Sequence, residues 1–142
     1  MGSEMCIRDR NRGSIVTPLK DRIDSQIITH YPSSIEIGKK ITHQEAELAK
    51  EQEANIEVYD LAKDLIEQIA IEARDSEYVD AKSGVSARLT ISAYENLVSA
   101  CERRMLTSGE EKATVRVTDF IGVIPAITGK VELVYELSLI HI

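Results

Sequence analysis

Aromatic residues are nearly missing from this chain. They make up 4% of 142 residues, with no Trp and Phe120 as the single Phe. A core without large rings has to be filled by Ile, Leu, Val and Ala, which favours helix packing. Positive charge is also short. The formal net charge of -7 excludes a nucleic-acid module, because phosphate backbones need a basic surface. No apolar run approaches the roughly 20 residues that cross a bilayer, so no membrane association is expected. The cysteines, Cys6 and Cys101, have neither metal-ligand spacing nor the count of a disulfide framework. His30 and His43 fall on different segments without a third ligand at metal spacing, so no metal site is expected. The compartment is read as cytoplasmic. What is present, 43% hydrophobic and 29% charged residues, suits one globular domain of modest core.

The two ends do not continue the patterning of the middle. Residues 1–10, MGSEMCIRDR, lack both periodicity and the apolar centre of about 7–15 residues of a signal peptide. Residues 137–142 close the chain on an abrupt apolar run after an acidic stretch. Both are expected to be non-native, of the kind that translated sequencing-adaptor read-through leaves at the ends of an open reading frame.

Between them, residues 11–17 form a loop. Thr17 followed by Pro18 reads as a cap and first helical residue for a short helix over 19–25. The run 26–31, QIITHY, is extended and closed by Pro32. Ser33 with Glu36 fits a capping box for a helix carrying Ile35, Ile37 and Ile41. A long acidic helix is expected over 42–75, with Ile56, Tyr59, Leu65, Ile66, Ile69 and Ala73 on one face. Its charges Glu45, Glu47, Glu51, Glu53 and Glu57 read as a solvated face or a docking surface. After a loop over 75–86, Thr90 is the expected cap of a second strong helix. Its stripe is Ile91, Tyr94, Leu97, Val98, Cys101 and Met105, and Gly109 ends it. Arg103 and Arg104, in its last turns, read as surface charges that offset the helix dipole. Residues 113–117 read as extended, and Thr118 as the cap of a last helix to Ile127, broken at Pro125.

Three blocks carry a family resemblance: NRGSIVTPLKDRIDSQIITHYP (11–32), SGVSARLTISAYENLVSACERR (83–104) and VRVTDFIGVIPAITGKVELVYE (115–136). Together they resemble the magnesium-chelatase I subunit and MoxR-like branch of the AAA+ ATPases. The branch's P-x-L-x-D-R signature stands here as Pro18-Leu19-Lys20-Asp21-Arg22, one residue shorter but with its Asp-Arg pair intact. The resemblance implies a mainly α fold, a helical bundle that is the AAA+ lid domain. A short helix–strand remnant of an α/β nucleotide-binding core precedes it. On that division, residues 11–32 end the core and 33–136 form the lid.

The resemblance also implies roles. Arg22 becomes the candidate arginine finger, acting in trans on nucleotide held by a neighbouring subunit. Arg88 becomes the candidate sensor-2 arginine, touching ATP phosphate within its own subunit. Guanidinium suits both tasks, because it is always charged and its planar fork binds two phosphate oxygens. By residue type alone, Arg22 reads rather as a solvated cation paired with Asp21, Asp24 or another surface carboxylate, and Arg88 likewise. Cys101 reads as a small core residue. The sequence contains no Gly-x-x-x-x-Gly-Lys-Ser/Thr and no apolar strand ending in an acidic pair. ATP and Mg2+ are therefore expected to bind elsewhere in the intact protein, and this chain alone is expected to be inactive. The intact protein would be a homo-oligomer, a hexameric ring, that remodels a partner carrying a von Willebrand factor A domain. The alternative is a non-enzymatic helical protein-interaction module in which the arginines are bystanders.

Overall fold

The computed structural model describes residues 22, 25, 27, 30–79, 85, 86, 88–128, 130 and 131. The chain divides into two compact units, Met1–Tyr31 and Pro32–Ile142. In the first, Arg22, Ser25, Ile27, His30 and Tyr31 are described and all are exposed. Arg22 lies in a turn, and within the run 26–31 Ile27, His30 and Tyr31 belong to no hydrogen-bonded element. The rest of that run, and most of the expected helix over 19–25, lie outside the described residues.

The second unit is mainly helical. Its elements are α1 (Ile35–Glu45), α2 (Lys50–Asn55), β1 (Ile56–Glu57), α3 (Asp60–Asp75) and α4 (Arg88–Ser108). They are followed by β2 (Ala113–Thr114), a 3-10 segment (Val117–Val123) and α5 (Ile124–Thr128). β1 and β2 pair in parallel, Ile56 opposite Ala113 and Glu57 opposite Thr114, with α3 and α4 forming the crossover between them.

α4 organises the unit. Its buried residues Leu89, Thr90, Ala93, Tyr94, Leu97, Val98, Cys101 and Met105 recur at helical spacing, so one face is continuous core. Every other element of the unit packs on it. The main cluster joins Tyr94, Leu97, Val98 and Cys101 to Ile56, Ile66, Ala113 and Val123. A smaller one joins Leu89 to Ala70, Val79 and Val85. The helix starts two residues before the expected cap. Ser86 receives the first amides, its Oγ from Arg88 at 3.2 Å and its carbonyl from Leu89 at 2.9 Å, while Thr90 is buried inside the first turn.

The expected stop at Gly109 is where the helix ends. Gly109 has φ +71°, and its amide and that of Glu110 turn back onto the carbonyls of Leu106 (3.4 Å) and Met105 (3.1 Å). A side chain in this left-handed conformation is strained, so Gly109→Ala is expected to lower stability by about 1 kcal/mol in urea unfolding. No change would mean that the turn relaxes without cost.

Three further expectations fail. The single helix over 42–75 is instead α1, α2 and α3 with β1 between them. Ile56 sits on the helical stripe by spacing, but pairing with Ala113 buries it to 8% exposure, and that tertiary contact overrides a weak local propensity. The first helix is capped by Ser34, whose Oγ accepts the Ile37 amide at 3.4 Å, not by Ser33. Thr118 caps nothing. Asp119 accepts the Arg116 amide at 2.8 Å and opens a 3-10 turn, and the chain becomes α-helical only at Ile124, beside Pro125.

Candidate functional site

Arg88 is the first residue of α4 and is exposed. Its backbone is fixed from two directions. Its amide donates to Ser86 Oγ, and its carbonyl accepts from Lys130 Nζ at 3.1 Å. The same Lys130 ammonium hydrogen-bonds Ser92 Oγ one turn further on. Two cations therefore share the first turn of a 21-residue helix whose aligned peptide dipoles already make that end positive. Among the described residues no carboxylate forms an ion pair with Arg88. Nothing in the sequence pattern singled out Lys130, because its partner backbone is 42 residues away. Gly84, the neighbour expected to allow close backbone approach, lies outside the described residues. Arg22 is exposed within the first unit.

Arg104 is not a surface charge. Its Nε and one terminal nitrogen grip both oxygens of Asp119 at 3.0 and 2.9 Å, a bidentate pair. That nitrogen also donates to the Thr114 carbonyl at 2.8 Å and lies 3.3 Å from Cys101 Sγ. The pair locks β2 and the 3-10 segment onto α4. Burial alone would push the Asp119 carboxyl up, but Arg104 and the Arg116 amide overcome this and hold it below its ordinary value. Burial pushes the Cys101 thiol up, as a core sulfur rather than a nucleophile requires. Arg103, next to it, is exposed, as expected.

A second polar junction lies where α1, α3 and α4 meet. Thr42 Oγ1 is 2.5 Å from Glu67 Oε1 and 2.9 Å from Thr90 Oγ1, and all three residues are buried. Beside it Lys39 Nζ reaches Asp64 (2.7 Å), Asp60 (3.0 Å) and Glu36 (3.2 Å). The acidic run Glu45, Glu47, Glu51, Glu53 and Glu57 is exposed throughout.

Two open grooves cut the surface. One, of about 820 Å³, runs along β1 and β2 past Glu53, Glu57, Lys112 and Arg116. The other, of about 810 Å³, lies between α4 and the 3-10 segment past Arg103, Thr107, Ile121 and Pro125. Arg88 lines neither. Among the described residues no three His, Cys, Asp or Glu side chains converge as metal ligands, and no helix is long and apolar enough to cross a membrane.

The class that these observations define is a mainly helical domain built on one central helix, with an exposed arginine at that helix's start. Comparison with protein-family models, curated proteins and solved structures returned no match.

Proposed function

We propose that the chain is the C-terminal part of a ring-forming AAA+ ATPase of the chelatase/MoxR-like branch, its second unit serving as the helical lid. On this reading the intact protein is cytoplasmic, binds ATP and Mg2+ through its other half, and assembles as a homo-oligomer, a hexameric ring. It spends its hydrolysis cycle remodelling a partner protein, one with a von Willebrand factor A domain. Arg22 acts in trans as the arginine finger, and Arg88 reads ATP phosphate within its own subunit.

The observation that carries the reading is the setting of Arg88. A cation at a helix N-terminus is disfavoured by the peptide dipoles, and Lys130 on the same turn adds to the positive field. That arrangement suits an anion supplied from outside, and a phosphate chain matches the guanidinium fork. The resemblance carried by the three sequence blocks supports the same assignment, since Arg88 falls within the second of them.

The test is Arg88→Ala and Arg22→Ala in the protein that includes its ATP-binding half. Both variants are expected to lose hydrolysis. Arg22→Ala keeps nucleotide binding, and its subunits poison mixed rings, because a finger in trans serves the neighbour. Turnover unchanged in both variants would remove the assignment. The interaction-module reading would then stand, as it also would if the native frame upstream of residue 11 held no P-loop.

A further inference from the structure

Polar groups hold the middle of α1 in place, while Ile37 and Ile41 do not. The buried residues of α1 are Gly38 and Thr42, whereas Ile37 and Ile41 remain 44% and 39% exposed. The junction of Thr42 with Glu67 and Thr90 is its innermost contact, and Glu67 is only 5% exposed there. The fit around this carboxyl is close: a Cβ on Gly38 would stand 2.4 Å from Glu67 Oε2. Methyl groups in the same place would dock α1 equally at any pH. A carboxyl cannot, because its charged form is far harder to keep out of water than its neutral form.

We propose that the Thr42–Glu67–Thr90 junction is a proton-controlled latch, in which neutral Glu67 holds α1 against α3 and α4 and ionised Glu67 releases it. In the neutral state the carboxyl and the two hydroxyls share their protons in one short chain, and every member has a partner. Ionisation sends the carboxyl proton to solvent and leaves two oxygens that only accept, in a site too dry to hydrate them. Water then enters as α1 lifts. The charges that face the junction are Lys39 and His43 on α1 and Lys63 and Arg74 on α3, with the Tyr94 phenol contributed by α4. Burial pushes the Glu67 carboxyl above its ordinary value of 4.5, against the pull of Thr42, Arg74 and Thr90. Docking is therefore complete below that ordinary value and is lost as pH rises through the raised one. The Lys39 clamp does not share this behaviour. Hydrogen bonds to Asp64 and Asp60 raise its pKa further, so it stays charged throughout.

Hydrogen exchange on the full chain tests the latch. Protection of the Ile35–Glu45 amides, corrected for intrinsic rates, is compared with that of α4 from below the ordinary carboxyl value of 4.5 up to about pH 8. In the wild type, α1 protection is expected to fall by roughly tenfold or more with rising pH while α4 holds. Glu67→Gln, which stays neutral, is expected to keep α1 protected and flat across the range. His43→Gln retains the wild-type response, which separates imidazole titration from that of the carboxyl. Flat protection in the wild type would overturn the proposal. So would a pH response that survives Glu67→Gln or disappears in His43→Gln. Should Glu67→Gln lose α4 protection as well, the wild type and His43→Gln decide alone.

Discussion

Asp119→Ala is expected to destabilise the second unit by about 3 kcal/mol, a large fraction of the stability of so small a domain. The substitution removes two charge-assisted hydrogen bonds to Arg104 and the acceptor of the Arg116 amide. The Arg104 guanidinium would be left half-buried, with the Thr114 carbonyl, Cys101 Sγ and the more distant Glu110 carboxylate at 3.8 Å as its remaining partners. Most of the loss is that poorly compensated charge rather than the net worth of the pair. Arg104→Met on top of Asp119→Ala should therefore recover part of it, which urea unfolding of the single and double variants measures. A single-variant loss under about 0.5 kcal/mol would class the pair with ordinary surface ion pairs. The pH dependence has a definite sign. Because the Asp119 pKa is lowered, its contribution is present above its ordinary value of 3.8 and is lost as pH falls through the lower folded value. Glu67, whose pKa is raised, acts in the opposite direction, so acid weakens the Arg104 lock while strengthening the docking of α1.

Leu97→Ala should cost a similar amount, about 3 kcal/mol, by a different route. Leu97 is fully buried on α4 and belongs to the cluster that includes Ile56, Ile66 and Val123. Its loss leaves a void beneath several elements at once, and in a close-packed interior the neighbours collapse into such a void only in part. The internal control is Leu106→Ala on the same helix. Leu106 is 70% exposed, so its truncation should stay within about 0.5 kcal/mol. Equal losses at the two positions, by thermal or urea unfolding, would mean that the core of the folded protein is not the one described.

How far each element could be read from sequence depends on how local its cause is. The stripe of α4 and its stop at Gly109 are written in consecutive residues, and both are where the spacing places them except at Ile91, which is only partly buried. Ile56 and Tyr59 continue a helical repeat on paper, yet Ile56 is claimed by a strand partner at Ala113 that no local window contains. Arg104 looked solvated because Asp119 comes 15 residues later, brought back by a 3-10 turn that sequence rules read as an ordinary helix. Nothing in the local pattern singles out Thr42 or Glu67. Their partnership spans 25 residues and is made possible by Gly38, whose missing side chain makes room for the carboxyl. The setting of Arg88 divides the same way: its place at the mouth of a helix was legible, whereas Lys130 on its carbonyl was not.

The two-residue strands have a kinetic consequence. Glu57 and Thr114 meet across 57 residues of chain, and a parallel pair cannot be zipped from a tight turn. Closing so long a loop for a handful of hydrogen bonds is unfavourable unless α3 and α4 are already packed and hold the ends near each other. β1 and β2 therefore record the assembly of the helices rather than direct it. The seam between them is expected to be the last part of the unit to close and the first to part when the molecule is strained.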